Sequence, residues 1–152
     1  MKKGYFYQTM IGKVGIVEEN ELIIEISFEK IKLNCQIEET NLLYKTAQQI
    51  EEYLNCKRTE FTIPIRLQGT SFQCKVWNAL NTIPYGETRS YQDIAIQIGS
   101  PKSCRAVGMA CHNNPIAILV PCHRVIGKNK KLVGYAGGID IKEKLLELEK
   151  YS

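Results

Sequence analysis

Three clusters of helix breakers, Pro84-Tyr85-Gly86, Gly99-Ser100-Pro101 and Asn113-Asn114-Pro115, cut the middle of this 152-residue chain into short helical pieces. One piece starts at Gln68-Gly69-Thr70-Ser71, where a Thr or Ser caps a turn leading to Phe72, Val76 and Leu80, and stops at the first cluster. Ser90 caps the next, which runs through Asp93-Ile94-Ala95 to about Ile98. A third begins near Pro101 and continues through Arg105-Ala106-Val107-Gly108 to about His112. Two short helices joined by a Gly-containing turn predict a helix-turn-helix, a geometry that many proteins use without touching nucleic acid.

The first part of the chain has a different rhythm. Leu22, Ile24, Ile26 and Phe28 share one side of an extended segment after a turn at Glu19-Asn20, and residues 4–9 and 12–18 supply its partners. Leu43, Ala47, Ile50 and Leu54 then recur at helical spacing within 41–56. The composition changes after Thr62-Ile63-Pro64-Ile65. The expected fold is an α/β N-terminal domain over residues 1–65, a small antiparallel sheet plus a helix with a supporting role, followed by a mostly α domain over 66–152 that holds the helix-turn-helix.

Charge follows the same division. Residues 1–65 carry 8 Lys and Arg against 10 Asp and Glu, whereas residues 66–152 carry 12 against 6. The basic half is where a polyanion would sit, though ordinary surface variation also produces such a difference. A hydrophobic content of 44% argues against disorder as the dominant state. No run approaches the roughly 18 apolar residues of a membrane span, and Met1-Lys2-Lys3-Gly4-Tyr5 is not followed by the apolar core of a secretory signal, so no membrane association and a cytoplasmic location are expected. The cysteines at 35, 56, 74, 104, 111 and 122 make no Cys-x-x-Cys pair and no zinc-like spacing with His112 or His123. Neither a metal nor another cofactor is expected, and most of these thiols read as reduced packing residues.

The chemistry concentrates in Val120-Pro121-Cys122-His123-Arg124-Val125. A thiol is only a few per cent ionised near pH 7, and basic or cationic neighbours such as His123 and Arg124 favour the nucleophilic thiolate. Ile116-Ala117-Ile118-Leu119-Val120 reads as a buried strand giving Cys122 a rigid mount. On such a strand Cys122 and His123 point to opposite faces, so a bend or a water must connect them. Beyond the basic loop Lys128-Asn129-Lys130-Lys131, the glycines of Gly134-Tyr135-Ala136-Gly137-Gly138 allow close approach to a ligand or simply a flexible turn. A closing helix, about 139–149, buries Ile141, Leu145 and Leu148 and carries Glu149 near its end. An inert buried thiol and a surface carboxylate are the bland readings of Cys122 and Glu149.

Asn114-Pro115-Ile116-Ala117-Ile118-Leu119-Val120-Pro121-Cys122-His123-Arg124-Val125 closely resembles the active-site signature of the O6-alkylguanine-DNA alkyltransferases, also called methylated-DNA–protein-cysteine methyltransferases. Ser90-Tyr91-Gln92-Asp93-Ile94-Ala95, Arg105-Ala106-Val107-Gly108, Tyr135-Ala136-Gly137-Gly138 and Lys142 through Glu149 fall in the family's order, so the resemblance covers about residues 68–150. It implies irreversible transfer of an alkyl group from O6 of guanine in duplex DNA to Cys122, with O4-alkylthymine as a possible second substrate. His123 would accept the thiol proton through a water, Glu149 would orient that imidazole, and Asn114 would order the cysteine loop. Arg105 would fill the gap left by the flipped nucleotide and Tyr91 would assist its rotation. The rest of the helix that carries Arg105, with Ser103, Ala106 and Gly108, would lie in the minor groove. Val125, Tyr135, Ala136, Gly137 and Ala117 would form the guanine pocket.

Two positions depart from the pattern. Ala136 stands where several relatives have Ser, leaving a backbone amide to contact O6. Ala117 stands where some have Pro, which leaves room for bulkier adducts. The partner implied is double-stranded DNA carrying O6-alkylguanine, met by a monomer. A thiol hydrolase using Cys122 and His123 and a binder of alkylated DNA that performs no chemistry are the competing classes. The first lacks a recognisable acyl pocket, and binding-only relatives lack the cysteine.

Overall fold

A computed structural model describes residues 1–28, 30, 32–128, 135 and 137–150. The chain forms two compact units, Met1–Leu67 with Pro115–Ala117, and Gln68–Asn114 with Ile118–Ser152.

In the first unit, strands β1 (Lys2–Thr9), β2 (Gly12–Glu19), β3 (Leu22–Phe28) and β4 (Gln36–Ile37) form one sheet in the order β3-β2-β1-β4. β1, β2 and β3 are an antiparallel meander. Asn20 and Glu21 both take positive φ (52° and 62°) between β2 and β3, the backbone of a tight hairpin turn. The sheet is mixed rather than purely antiparallel, because β4 pairs parallel with β1; a strand of two exposed residues leaves no alternation to read. β2, one of the two inner strands, buries Val14, Ile16 and Val17. Helix α1 (Asn41–Leu54) is capped by the Thr40 hydroxyl, which accepts from the Leu43 N–H, and buries Leu43, Ile50, Tyr53 and Leu54.

The expected strand at 116–120 is not formed. Only Ile116 makes a bridge, parallel to Ile26, where the Ile26 N–H donates to the Pro115 carbonyl (2.9 Å) and the Ala117 N–H to the Ile26 carbonyl (3.2 Å). Residues 117–119 then turn, with Ile118 at φ 71° and only 2% exposed. A β-branched residue in the left-handed region is strained, so an apolar run that looks like a strand is folded into a loop by its surroundings.

The second unit contains α2 (Ser71–Leu80), α3 (Tyr91–Gln97), α4 (Cys104–His112) and α5 (Ile139–Lys150). It also has a parallel pair of two-residue strands, β5 (Arg89–Ser90) and β6 (Val125–Ile126). Capping boxes open two of the helices: Thr70 with Gln73 for α2 and Ser90 with Asp93 for α3. Trp77 on α2 is buried and its Nε1–H donates to the Ala110 carbonyl at 2.8 Å, tying α2 to the end of α4. α3 and α4 are the expected helix-turn-helix pair, but α4 starts at Cys104, since Pro101-Lys102 form a turn and the Ser103 hydroxyl bonds Ser100 (2.6 Å) instead of capping.

Two further expectations are corrected. Leu148 is only part-buried; the interior face of α5 holds Ile141, Lys142, Leu145 and Glu149, so polar residues take places that periodicity assigned to leucine. Of the six cysteines, all among the described residues and none in a disulfide, Cys111 and Cys122 are buried, Cys35, Cys74 and Cys104 are part-buried, and Cys56 is exposed, so full burial is confined to two.

Candidate active site

Cys122, His123 and Arg124 form a single turn of 3-10 helix after Pro121. The bend foreseen as one way to connect thiol and imidazole is therefore built into the backbone. All three are buried, with His123 at 0% exposure and Cys122 at 6%. Such a position requires each polar atom to find a partner.

Glu149, on the last turn of α5, meets that requirement. Its Oε2 accepts from His123 Nε2 (2.7 Å) and Arg124 Nη2 (3.1 Å), and its Oε1 accepts from Arg124 Nε (2.8 Å) and the Gly86 N–H (3.1 Å). Arg124 Nη1 also donates to the Ile83 carbonyl at 2.7 Å. The guanidinium grips the carboxylate with two parallel bonds, the geometry in which arginine is strongest. Gly86 reaches the carboxylate from a turn at φ +82°, a conformation that favours glycine, which gives the Pro84-Tyr85-Gly86 breaker a second purpose.

This arrangement fixes the imidazole. A carboxylate can only accept, so Nε2 carries the proton and Nδ1 is the basic nitrogen of neutral His123. Burial holds the His123 pKa below the ordinary histidine value; Glu149 pulls it back up, and the Arg124 and Lys142 charges add to the depression. Arg124 is not among the groups that shift the Cys122 thiol; its guanidinium pairs with Glu149 instead.

Burial pushes the Cys122 thiol up, and a hydrogen bond from Asn114 and the charge of Lys142 act against that push. The Asn114 side chain also donates from Nδ2 to the Val120 carbonyl (2.8 Å), linking the end of α4 to the cysteine turn. Lys142 is fully buried, with its Nζ 5.9 Å from the centre of the Tyr91 ring. Burial lowers its pKa while Cys122 and Cys111 raise it. Burial also pushes the Cys111 thiol and the Tyr91 hydroxyl up to about 12, so both stay protonated at neutral pH. Sequence reasoning assigned no role to Lys142, Gly86 or Cys111. Lys142 had a signal: it lies seven residues before Glu149, two helical turns, and beside Ile141 on the stripe that α5 buries.

A cavity of about 390 Å³ opens along α3 and α4, lined by Ser90, Tyr91, Arg105, Gly108, His112 and Lys128 among others. Arg105 and Ala106 are exposed, Ser103 is part-buried, and the Gly108 backbone approaches the Tyr91 ring. Val125 is buried in β6 opposite Arg89, and Tyr135 is buried with its carbonyl accepting from Gly138 (2.9 Å). Gly137 lies in the turn before α5, Ala136 lies outside the described residues, and Ala117 belongs to the first unit. Among the described residues, no group of three or more His, Cys, Asp and Glu is placed to hold a metal, and no helix is long and apolar enough to cross a membrane.

Comparison with known proteins assigns both parts of the chain. Residues 71–151 match the 6-O-methylguanine DNA methyltransferase DNA binding domain, and residues 2–67 match the ribonuclease-like domain of the same methyltransferases. The chain belongs to the 6-O-methylguanine DNA methyltransferase family. Among its relatives in that family, the methylated-DNA–protein-cysteine methyltransferase of Methanosarcina barkeri is 53% identical over 147 residues, covering 93% of each chain. That of Methanosarcina acetivorans is 45% identical, covering 94% of this chain and 95% of its own. A crystal structure of Mycobacterium tuberculosis OGT in complex with DNA superposes with a TM-score of 0.91 at 44% identity, covering 97% of this chain and 92% of that one. The family's fold, a small mixed sheet with a helix followed by a helical unit, is the fold described above.

Proposed function

We propose that this chain repairs DNA by moving the alkyl group of O6-alkylguanine onto Cys122, once per molecule, as a monomer in the cytoplasm. The observation that carries the assignment of roles is the Glu149 carboxylate held by His123, Arg124 and Gly86 directly behind the Cys122 turn. This is a nucleophile, a base and an orienting group in one buried cluster. His123 Nδ1 takes the proton of Cys122 through a bridging water, and the resulting imidazolium is stabilised by Glu149. The Cys122 sulfur attacks the alkyl carbon, a C–S bond forms, and the C–O6 bond breaks with its electron pair leaving on guanine. Tyr91, protonated at neutral pH, donates toward the departing base. Lys142 and Asn114 stabilise the thiolate as it forms. The product is a thioether, which the site has no means of cleaving, so the thiol is not regenerated.

A thiol this deeply buried cannot reach a base inside a duplex, so the nucleotide must rotate out, at a cost of a few kcal/mol of lost stacking. Arg105, exposed on α4, occupies the gap, while Ser103, Ala106 and Gly108 let the helix backbone approach the minor groove. Backbone groups of Val125, Tyr135 and Gly137 hold the guanine edge. Arg105→Ala tests the division of labour. Transfer from duplex DNA is expected to slow about 10- to 100-fold, the equivalent of losing part of the stacking compensation, while reaction with free O6-benzylguanine is unchanged. Equal losses on both substrates would remove Arg105 from base rotation.

A further inference from the structure

The exposed side of α4 is a single stripe. Arg105, Ala106, Met109 and His112 follow one another at helical spacing, with Lys102 in the turn just before them, whereas Val107, Ala110 and Cys111 are buried on the opposite side. No carboxylate stands on this stripe. Met109 lies at its centre and is 61% exposed. A lone exposed methionine needs no explanation. Here, however, Met109 stands between Arg105 and His112 along the stripe, on a face whose other members are an arginine, an alanine and an imidazole. The pattern is that of a surface meant for a polyanion with an apolar interior.

We infer that Met109 is a second probe of the minor groove, an apolar wedge that packs against the base stack one helical turn from the point where Arg105 enters it. The inference rests on the reading that α4 faces duplex DNA. Four residues of helix span roughly 6 Å, close to two base steps, so a helix lying along the groove places Met109 about two steps from the rotated nucleotide. Unbranched and flexible, a methionine side chain adapts to an irregular apolar surface. Methionine is also among the residues that proteins insert between base steps to unstack and bend a duplex. The Ala106 methyl and the Gly108 hydrogen beside it keep the helix backbone close enough for the thioether to reach. Met109 thus helps to hold open the distorted duplex that base rotation requires, and it does so without reading sequence.

The test compares Met109→Ala, Met109→Gln and Met109→Leu with the unaltered chain. Two readouts are used: single-turnover transfer at limiting concentration of a methylated duplex, and the fluorescence of 2-aminopurine placed two steps from the lesion. Met109→Ala and Met109→Gln are expected to slow transfer from duplex about tenfold, as expected for losing most of one buried apolar side chain. Both should abolish the fluorescence rise that reports local unstacking, Met109→Leu should retain both signals, and all three should react normally with free O6-benzylguanine. Wild-type rate and fluorescence in Met109→Ala, or in Met109→Gln, would overturn the wedge. Arg105→Ala measured alongside separates the two failures: if it still loses duplex transfer, only the role of Met109 is wrong, and if it loses nothing, α4 does not face the groove.

Discussion

Arg124→Met is expected to lower the free energy of unfolding by about 3–5 kcal/mol, because it removes one partner of a buried ion pair and strands the other. Glu149 is 4% exposed and Arg124 8%, and the pair shares two hydrogen bonds, so solvent cannot replace the lost guanidinium. The Ile83 carbonyl loses its donor as well. Urea unfolding followed by Trp77 fluorescence measures the effect. Arg124→Lys keeps the charge but cannot reproduce the bidentate grip, and it should recover only part of the loss. A double variant, Arg124→Met with Glu149→Leu, separates structure from chemistry: it should regain much of the stability, since an apolar pair of similar volume avoids the desolvation of two charges. It should remain slow in alkyl transfer, since nothing then orients His123. A stable and fully active double variant would show that the ion pair serves neither the imidazole nor the thiol.

Glu149→Gln is expected to slow alkyl transfer by about 100-fold or more, the range in which a general base contributes, with little change in affinity for DNA. The amide nearly preserves volume, and it can still bond His123, but it accepts or donates and no longer dictates which ring nitrogen carries the proton. It also removes the negative charge that pairs with Arg124 beside the imidazole, while the Arg124 and Lys142 charges that push the His123 pKa down remain. The neutral imidazole becomes a weaker base, and the imidazolium that forms on proton transfer loses its stabilising anion. Single-turnover kinetics on methylated duplex, with DNA binding measured in parallel, checks this. An unchanged transfer rate would remove Glu149 from the proton relay.

Local signals in the sequence predict the helical half well. Ser90 caps its helix as read and Thr70, one of the two candidates at Thr70-Ser71, caps the other, because a capping box is written within four residues in each case. The meander of the first unit is legible from its turn, but the alternation in residues 22–28 is not kept: Ile23 and Ile26 are the buried residues of β3, while Leu22, Ile24 and Phe28 are part-buried, because a bulge between Val17 and Glu18 shifts the pairing register. What could not be read is set by contacts distant in sequence. The apolar run 116–120 looks like any buried strand, yet one residue pairs with Ile26 and the rest turn, with Ile118 held at a φ that no propensity would assign. β4 is too short to show a period. Lys142 and Glu149 carry charges that read as surface residues although both lie on the stripe that α5 buries, and the structure takes both into the interior. Cys122 and His123 stand out in the sequence by their own chemistry, whereas Glu149 joins them only through the resemblance, since its spacing alone names no cluster. Arg124 reads either as an activating charge or as a structural tie between segments, and its bonds to Glu149 and the Ile83 carbonyl match the second reading.

The most direct test is the mass of the Cys122 peptide after incubation with excess duplex DNA containing O6-methylguanine. The predicted result is a gain of one CH2 unit on that peptide alone, with one methyl group removed from DNA per protein molecule and no gain in Cys122→Ser. Removal of more than one methyl group per molecule, or tight binding to the methylated duplex with no change in mass, would contradict a cysteine consumed by a single alkyl transfer.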